Sequence, residues 1–253
     1  MLQSYNNNEQ LKKDFLREVE KHRKLDMVAQ GTYGKMNGKW KGCAVACSLR
    51  SIAIIRGDKL QSNYSNHKDY EKYLGIPEWL ARLEDTIFEG LPVEDAKKWP
   101  GQFAKAIPVG VNLDPLKWKF SVFLLKENIE RVSTLEISDE LKKQVIDAIR
   151  QVLNVHEQAI KTGNWSRSVA RSAAESAESA AESAARSARS AAWLARAAAY
   201  EKIGEELLRL FRELELSVNH ISLVERVEML EEAVDKIERS TNLTQNKTEA
   251  THD

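Results

Sequence analysis

Leu11, Phe15, Val19 and Leu25 recur on one helical stripe between residues 8 and 29, with charged residues on the other sides. That spacing predicts an amphipathic N-terminal helix. Further on, Leu80, Leu83, Ile87 and Phe88 form the apolar face of a helix that begins near Pro77 and is stopped by Gly90 and Pro92. Its other face, Glu78, Arg82, Asp85 and Glu89, repeats at helical spacing and is expected to meet solvent and form ion pairs, with Glu84 at the edge of the apolar face. A second helix is expected from Pro92 through Ala96, Trp99, Phe103 and Ile107, broken or kinked at Pro100. Asp114 and Pro115 read as N-cap and first turn of a third, with Leu116, Phe120, Phe123 and Leu124 inward. Ser138 caps a fourth, whose Leu141, Val145, Ile149, Val152 and Leu153 hold the period to about residue 161, before Gly163.

The pattern then changes. Between Ser166 and Ala192 there are 11 Ala, 8 Ser and 7 charged residues, with Val169 the single exception. With no Gly or Pro and many strong helix formers, this low-complexity stretch predicts helix rather than coil. Its serines step by 4, 4, 3, 4, 4 and 3, close to the period of an undistorted helix. The alanine face calls for close packing against another backbone, and the stripe of arginines and glutamates is expected to face water. Ile203, Leu207, Leu210, Phe211 and Leu214 then form an ordinary apolar face, with Gly204 a weak point. Next, Leu216, His220, Leu223, Val227, Leu230, Val234 and Ile237 alternate steps of 4 and 3, a heptad pattern that favours a parallel dimer and leaves a tetramer open.

The expected fold class is all-α. Its parts are an N-terminal amphipathic helix over 1–30, a helical globular domain over 31–161, a long Ala/Ser/Glu/Arg helix over 165–216, a coiled-coil oligomerisation segment over 216–239, and a disordered tail over 240–253.

With 253 residues, the chain can bury a substantial core. Lys plus Arg and Asp plus Glu number 38 each, so the electrostatic footprint of a dedicated nucleic-acid binder is missing, and at most a local basic site is left. No apolar run approaches the roughly 18 to 20 residues that span a bilayer, and residues 1–6 lack the apolar block of a secretory signal, so no membrane partner and a cytoplasmic location are expected.

The chemistry concentrates before and at the first cysteine. Gly31, Gly34, Gly38 and Gly42 fall within twelve residues, interleaved with Tyr33, Lys39, Trp40 and Lys41. If a helix starts near Gly42 or Cys43, its free N–H groups, with Lys39 or Lys41 and the two aromatic rings, would suit a phosphate or nucleotide-like anion. The plainer reading is a solvent-exposed turn or hairpin. Spacing excludes a P-loop and a dinucleotide-binding fingerprint. Cys43 and Cys47, one turn apart, read first as small buried side chains and second as reactive or ligand-contacting thiols. No paired CxxC or spaced histidine pair completes a metal set, and neither a metal nor a cofactor is expected. The candidate ligand-binding residues are Tyr33, Lys39, Trp40, Lys41, Gly42, Cys43, Cys47, Arg82 and Glu84. No residue is assigned as catalytic.

Three blocks in order, Gly38-Lys39-Trp40-Lys41-Gly42-Cys43-Ala44-Val45-Ala46-Cys47, the run from Gly75 through Pro77, Trp79, Leu83 and Glu84 to Pro92, and Ala106-Ile107-Pro108-Val109-Gly110 with Trp118-Lys119-Phe120, are followed by the Ser-Ala-Ala-Glu array. Over about residues 30 to 214 this resembles a family of uncharacterised bacteriophage and prophage proteins. The resemblance implies a setting, the cytoplasm of an infected bacterium, and carries over no catalytic residue. Three functions follow as expectations. The first is an oligomeric, non-enzymatic protein that captures a small anionic or nucleotide-like molecule in counter-defence. The second is a structural or protein-interaction scaffold. The third is an enzyme on such a molecule, with Cys43 or Cys47 as nucleophile or Glu84 and Asp85 as acid and base.

Overall fold

The computed structural model describes residues 1–36, 39–162, 198–217 and 219. The long alanine-serine array, the heptads from 220 onward and the tail expected over 240–253 lie outside the described residues, as do Asn37, Gly38 and Gly163. What is described is mainly helical, as the periodicities predict. Among the described residues, no helix is long and apolar enough to cross a membrane.

Helix α1 (Glu9–Lys24) starts where the Asn8 side chain accepts a hydrogen bond from the Leu11 N–H at 3.0 Å. It turns Phe15 and Val19 into the core, together with Glu18 and His22. Leu25, expected on the same stripe, is instead 61% exposed, because the helix has already ended and the chain leaves the surface it was covering. A two-residue hairpin, β1 (Lys35–Met36) against β2 (Lys39–Trp40), leads into α2 (Ala44–Arg56). From Ala44 to Ala53 every residue of α2 except Arg50 is buried, since α1, α3, α4 and α6 all pack on it. A helix apolar on all sides belongs at a centre. Ile54 and Ile55 continue it rather than starting a strand, and Gly57 in the left-handed conformation ends it.

Residues 57–73, a largely polar stretch, bury Tyr64 and Tyr70 and contain the start of the short helix α3 (Asp69–Leu74). Gly75 follows with φ +62, and a Cβ there would overlap the Gln3 carbonyl, so the chain's start and the end of α3 meet at a position only glycine fills. Helix α4 (Glu78–Gly90) buries Leu80, Ile87 and Phe88 as expected, while Leu83 is only half-buried. The helix expected through Pro92 to Ile107 is two: α5 (Val93–Ala96) and α6 (Trp99–Ala106). The break falls at Lys97 and Lys98. Pro100 sits in the first turn of α6, where its missing N–H costs nothing, and kinks no helix.

Helix α7 (Leu116–Ser133) and α8 (Asp139–Thr162), the latter capped by Ser138 Oγ on the Leu141 N–H, pack mainly on each other. Val145 and Ile149 are the centre of that seam, with Leu125, Ile129, Val132 and Leu141 around it.

Residues 198–217 are helical, and their first part returns to the same core. Phe211 meets Phe103 edge-on at 5.7 Å between centroids, and Tyr200 lies over Gly90. Gly204, which looked like a weak point, is the gap that lets Trp99 approach, since a Cβ there would come within 3.1 Å of the indole. The described residues between Met1 and Arg212 therefore pack as one unit. Helix α1 is buried against α2 and α6, and residues 198–212 pack against α4 and α6.

Candidate functional site

The site forms where a crossing loop covers the start of α2. Ala29 donates to the Gly42 carbonyl and Gly42 to that of Met27, both at 2.9 Å, and Cys43 N–H donates to Thr32 O at 2.6 Å. Gln30 ties the same loop to the end of α4 by donating to the Phe88 and Leu91 carbonyls at 2.7 and 2.9 Å. Cys43 becomes the N-cap of α2, and Gly31, with φ +74, turns its N–H onto the Glu89 carboxylate at 2.9 and 3.0 Å.

Five side chains converge there. Tyr33 OH donates to Asp85 Oδ2 at 2.7 Å, and His67 Nε2 stands 3.5 Å from the same oxygen. The ring of Tyr33 meets that of His67 edge-on at 6.3 Å. Asp85 and Glu89, one turn apart on α4, face Cys43, and ligand atoms of the three lie within 4.8 Å of one another. Asp85 is buried, not solvent-facing as its spacing suggested, because Tyr33 and His67 arrive from other segments to cover it. Its second oxygen, Oδ1, is buried and has no hydrogen-bond partner among the described residues. Glu89 keeps an exposed edge, which gives the cluster a mouth. Burial raises its carboxyl pKa above the usual range, and the neighbouring charge of Asp85 adds to this.

Immediately inward is Glu84, 1% exposed. Tyr70 OH donates to its Oε2 at 2.6 Å, while Oε1 has no hydrogen-bond partner among the described residues. Burial pushes this carboxyl up to about 8, with the Asp85 charge adding to the effect and the Tyr70 hydrogen bond opposing it. Both thiols are held protonated. Burial is the first cause for each, followed by the Asp85 charge for Cys43 and the Glu84 charge for Cys47. Cys47 Sγ also donates to the Gly42 carbonyl at 3.3 Å.

The other expected ligand residues have different partners. Lys41 pairs with Asp26 at 2.7 Å, and Arg82 pairs with Glu78 on the exposed side of α4. Trp40 carries the Arg50 guanidinium 4.6 Å over its ring and lies near His22 and Tyr64, while Lys39 is exposed on β2. Gly42 serves close packing, since a Cβ would strike Trp40 and Ala46. Of the expected set, Tyr33 and Cys43 therefore join one cluster, with Glu84 and Cys47 behind it. Sequence reading missed His67 and Glu89, and it named Asp85 only as an acid or base of the enzyme reading. The Asp85–Glu89 spacing of four was a usable signal, but nothing local marked His67.

Comparison with protein-family models, with curated proteins and with solved structures finds no match.

The chemistry must therefore be read from the cluster itself. In a cysteine nucleophile site an imidazole stands beside the thiol and a carboxylate behind the imidazole. Here the order is different: Asp85 contacts both His67 and Cys43, so a negative charge faces the thiol and opposes thiolate formation. The site is rich in acceptors and poor in cations. A cleft of about 370 Å³ borders the loop that carries His67, lined by Leu49, Ile52, Asn63, Tyr64, Asn66 and Tyr73 among others.

Proposed function

We propose that the body formed by residues 1–212 is a non-enzymatic ligand-binding module, and that Tyr33, Cys43, His67, Asp85 and Glu89 are its recognition site. The observation that carries this reading is Asp85 Oδ1, a buried carboxylate oxygen that no N–H or O–H of the described residues reaches, with the weakly donating Cys43 thiol as a neighbour of the carboxylate. Leaving such an acceptor unpaired costs on the order of 1–3 kcal/mol, and a group kept at that cost beside a mouth is a place for a ligand's donor. Two acidic side chains at the site argue for a cationic or donor-rich ligand rather than the anion that the lysines of the loop suggested. The proton held on Cys43 argues for capture over covalent catalysis.

The experiment is a thermal-shift and calorimetric screen of the full chain, treated with chelator, against spermidine, agmatine and a set of nucleosides. At least one probe is expected to bind and to be recovered intact after denaturation. Asp85→Asn is expected to weaken it at least about tenfold, the value of one charge-assisted hydrogen bond. Recovery of a converted product would replace capture with catalysis, and equal binding by the Asn variant would move the site elsewhere.

The setting we propose is that of a phage accessory protein in a host cytoplasm, supported by the order of the blocks between residues 38 and 120. Self-association through 216–239 is supported by the heptad spacing of Leu216, Leu223, Leu230 and Ile237. Light scattering should then return a multiple of the 28.7 kDa chain mass. A single-chain mass at micromolar concentration would remove the oligomer from this reading.

A further inference from the structure

The geometry points to a divalent transition-metal site, of the zinc type, held by Cys43 Sγ, a carboxylate oxygen of Asp85 and one of Glu89. This rests on the recognition site proposed above and names its occupant. The ligand atoms lie within 4.8 Å of one another. Zinc bonds of about 2.0 to 2.3 Å place two ligands of a common ion no more than about 4.6 Å apart, so small side-chain rotations close the set.

Three further features fit an ion and not merely an acidic patch. First, the two oxygens of Asp85 are differently used: Oδ2 takes the Tyr33 hydroxyl and faces His67, whereas Oδ1 is buried and has no hydrogen-bond partner among the described residues. A carboxylate oriented by donors on one oxygen and free on the other is how an outer shell presents a metal ligand. Second, Glu89 is oriented by a backbone donor, the Gly31 N–H, which its two oxygens share at 3.0 and 2.9 Å. Third, the buried Cys43 thiol gains a reason to face two carboxylates, because a dication between them reverses the local field. Binding would release the thiol proton to solvent and form a sulfur–metal bond. A thiolate in the set selects zinc-like ions over magnesium or calcium. Three protein ligands leave a coordination position on the side of exposed Glu89, where a water or a donor atom of a small ligand would sit.

The test is a titration of chelator-treated full-length protein with Co²⁺, read by the near-ultraviolet thiolate-to-cobalt charge-transfer band. One equivalent is expected to saturate the band, and Zn²⁺ to bleach it. Cys43→Ser should abolish the band. Cys47→Ser should keep it, since Cys47 is already engaged with the Gly42 carbonyl. Glu89→Gln, at an exposed position that does not threaten folding, should weaken cobalt binding at least about tenfold. No band in the wild type, a band that survives in Cys43→Ser, or unchanged affinity in Glu89→Gln would each overturn the metal. Should an organic probe bind the chelated protein through Asp85 while cobalt gives no band, the metal falls and the recognition site stands. Should neither bind, both fall.

Discussion

Stability should decline as pH rises from about 6.5 to 8, and Glu84→Gln should abolish that decline and add on the order of 4 kcal/mol at pH 8.5. Glu84 ionises near 4.5 in the unfolded chain and at about 8 in the folded one, chiefly because burial penalises its charge. Between those values the native state holds a proton that the unfolded state has lost, so stability falls with pH across the window. The displacement corresponds to roughly 4 to 5 kcal/mol in total. His22 acts in the opposite sense. Burial, reinforced by the Arg50 and Lys21 charges, lowers it from 6.5 to about 4, so it contributes stability that is present above 6.5 and lost on acidification. The two contributions oppose one another between about 4.5 and 6.5; above that the His22 gain is complete and the Glu84 loss remains, with the raised Glu89 carboxyl acting in the same sense.

The wild type should therefore show a plateau followed by a fall, and the Gln variant a rise followed by a plateau. Gln retains an acceptor for the Tyr70 hydroxyl, so the packing is conserved. The exposed ion pairs do not confuse the result. Glu20, held low chiefly by its Arg23 hydrogen bond, and Asp26, held low chiefly by its Lys41 hydrogen bond, are already ionised throughout this range. Urea midpoints at pH 5, 6.5 and 8.5 for both proteins decide the matter. Parallel profiles would mean that Glu84 ionises freely and that its surroundings are wetter than described.

Phe211→Ala should cost about 3 to 5 kcal/mol, whereas Glu205→Ala, six residues earlier, should cost less than about 0.5 kcal/mol. Phe211 is fully buried and packs edge-on against Phe103, while Glu205 on the same helix is exposed. The contrast tests whether residues 198–212 are part of the body. A long helix that only projected from the domain would show a small loss at both positions. Equilibrium unfolding by circular dichroism measures the difference, and a loss under 1 kcal/mol at Phe211 would detach the segment from the core.

Periodicity located α1, α4, α7 and α8 and named Leu80, Phe88, Phe120, Val145 and Ile149 as buried, because a helix that hides one face writes that face into its own spacing. The Gly-rich segment and the cysteine helix also stood out, for glycine at a close approach and cysteine at a helix start are local features. The alanine-serine array and the heptads are as clear in the chain as any of these, and they lie outside the described residues. What misled was the polar face of α4. Glu78, Arg82, Asp85 and Glu89 repeat identically by spacing, yet Arg82 is exposed and ion-paired, and Asp85 is buried under Tyr33 and His67.

The chain by itself determined which long segments are helical and which of their faces are apolar. Only the tertiary structure decided that Asp85 and Glu84 are buried, that His67 joins them, and that the loop's lysines do not. Helix formation and amphipathic spacing are set within a few residues along the backbone. The protonation and pairing of a carboxylate depend instead on which distant segment excludes water from it, and no local pattern encodes that.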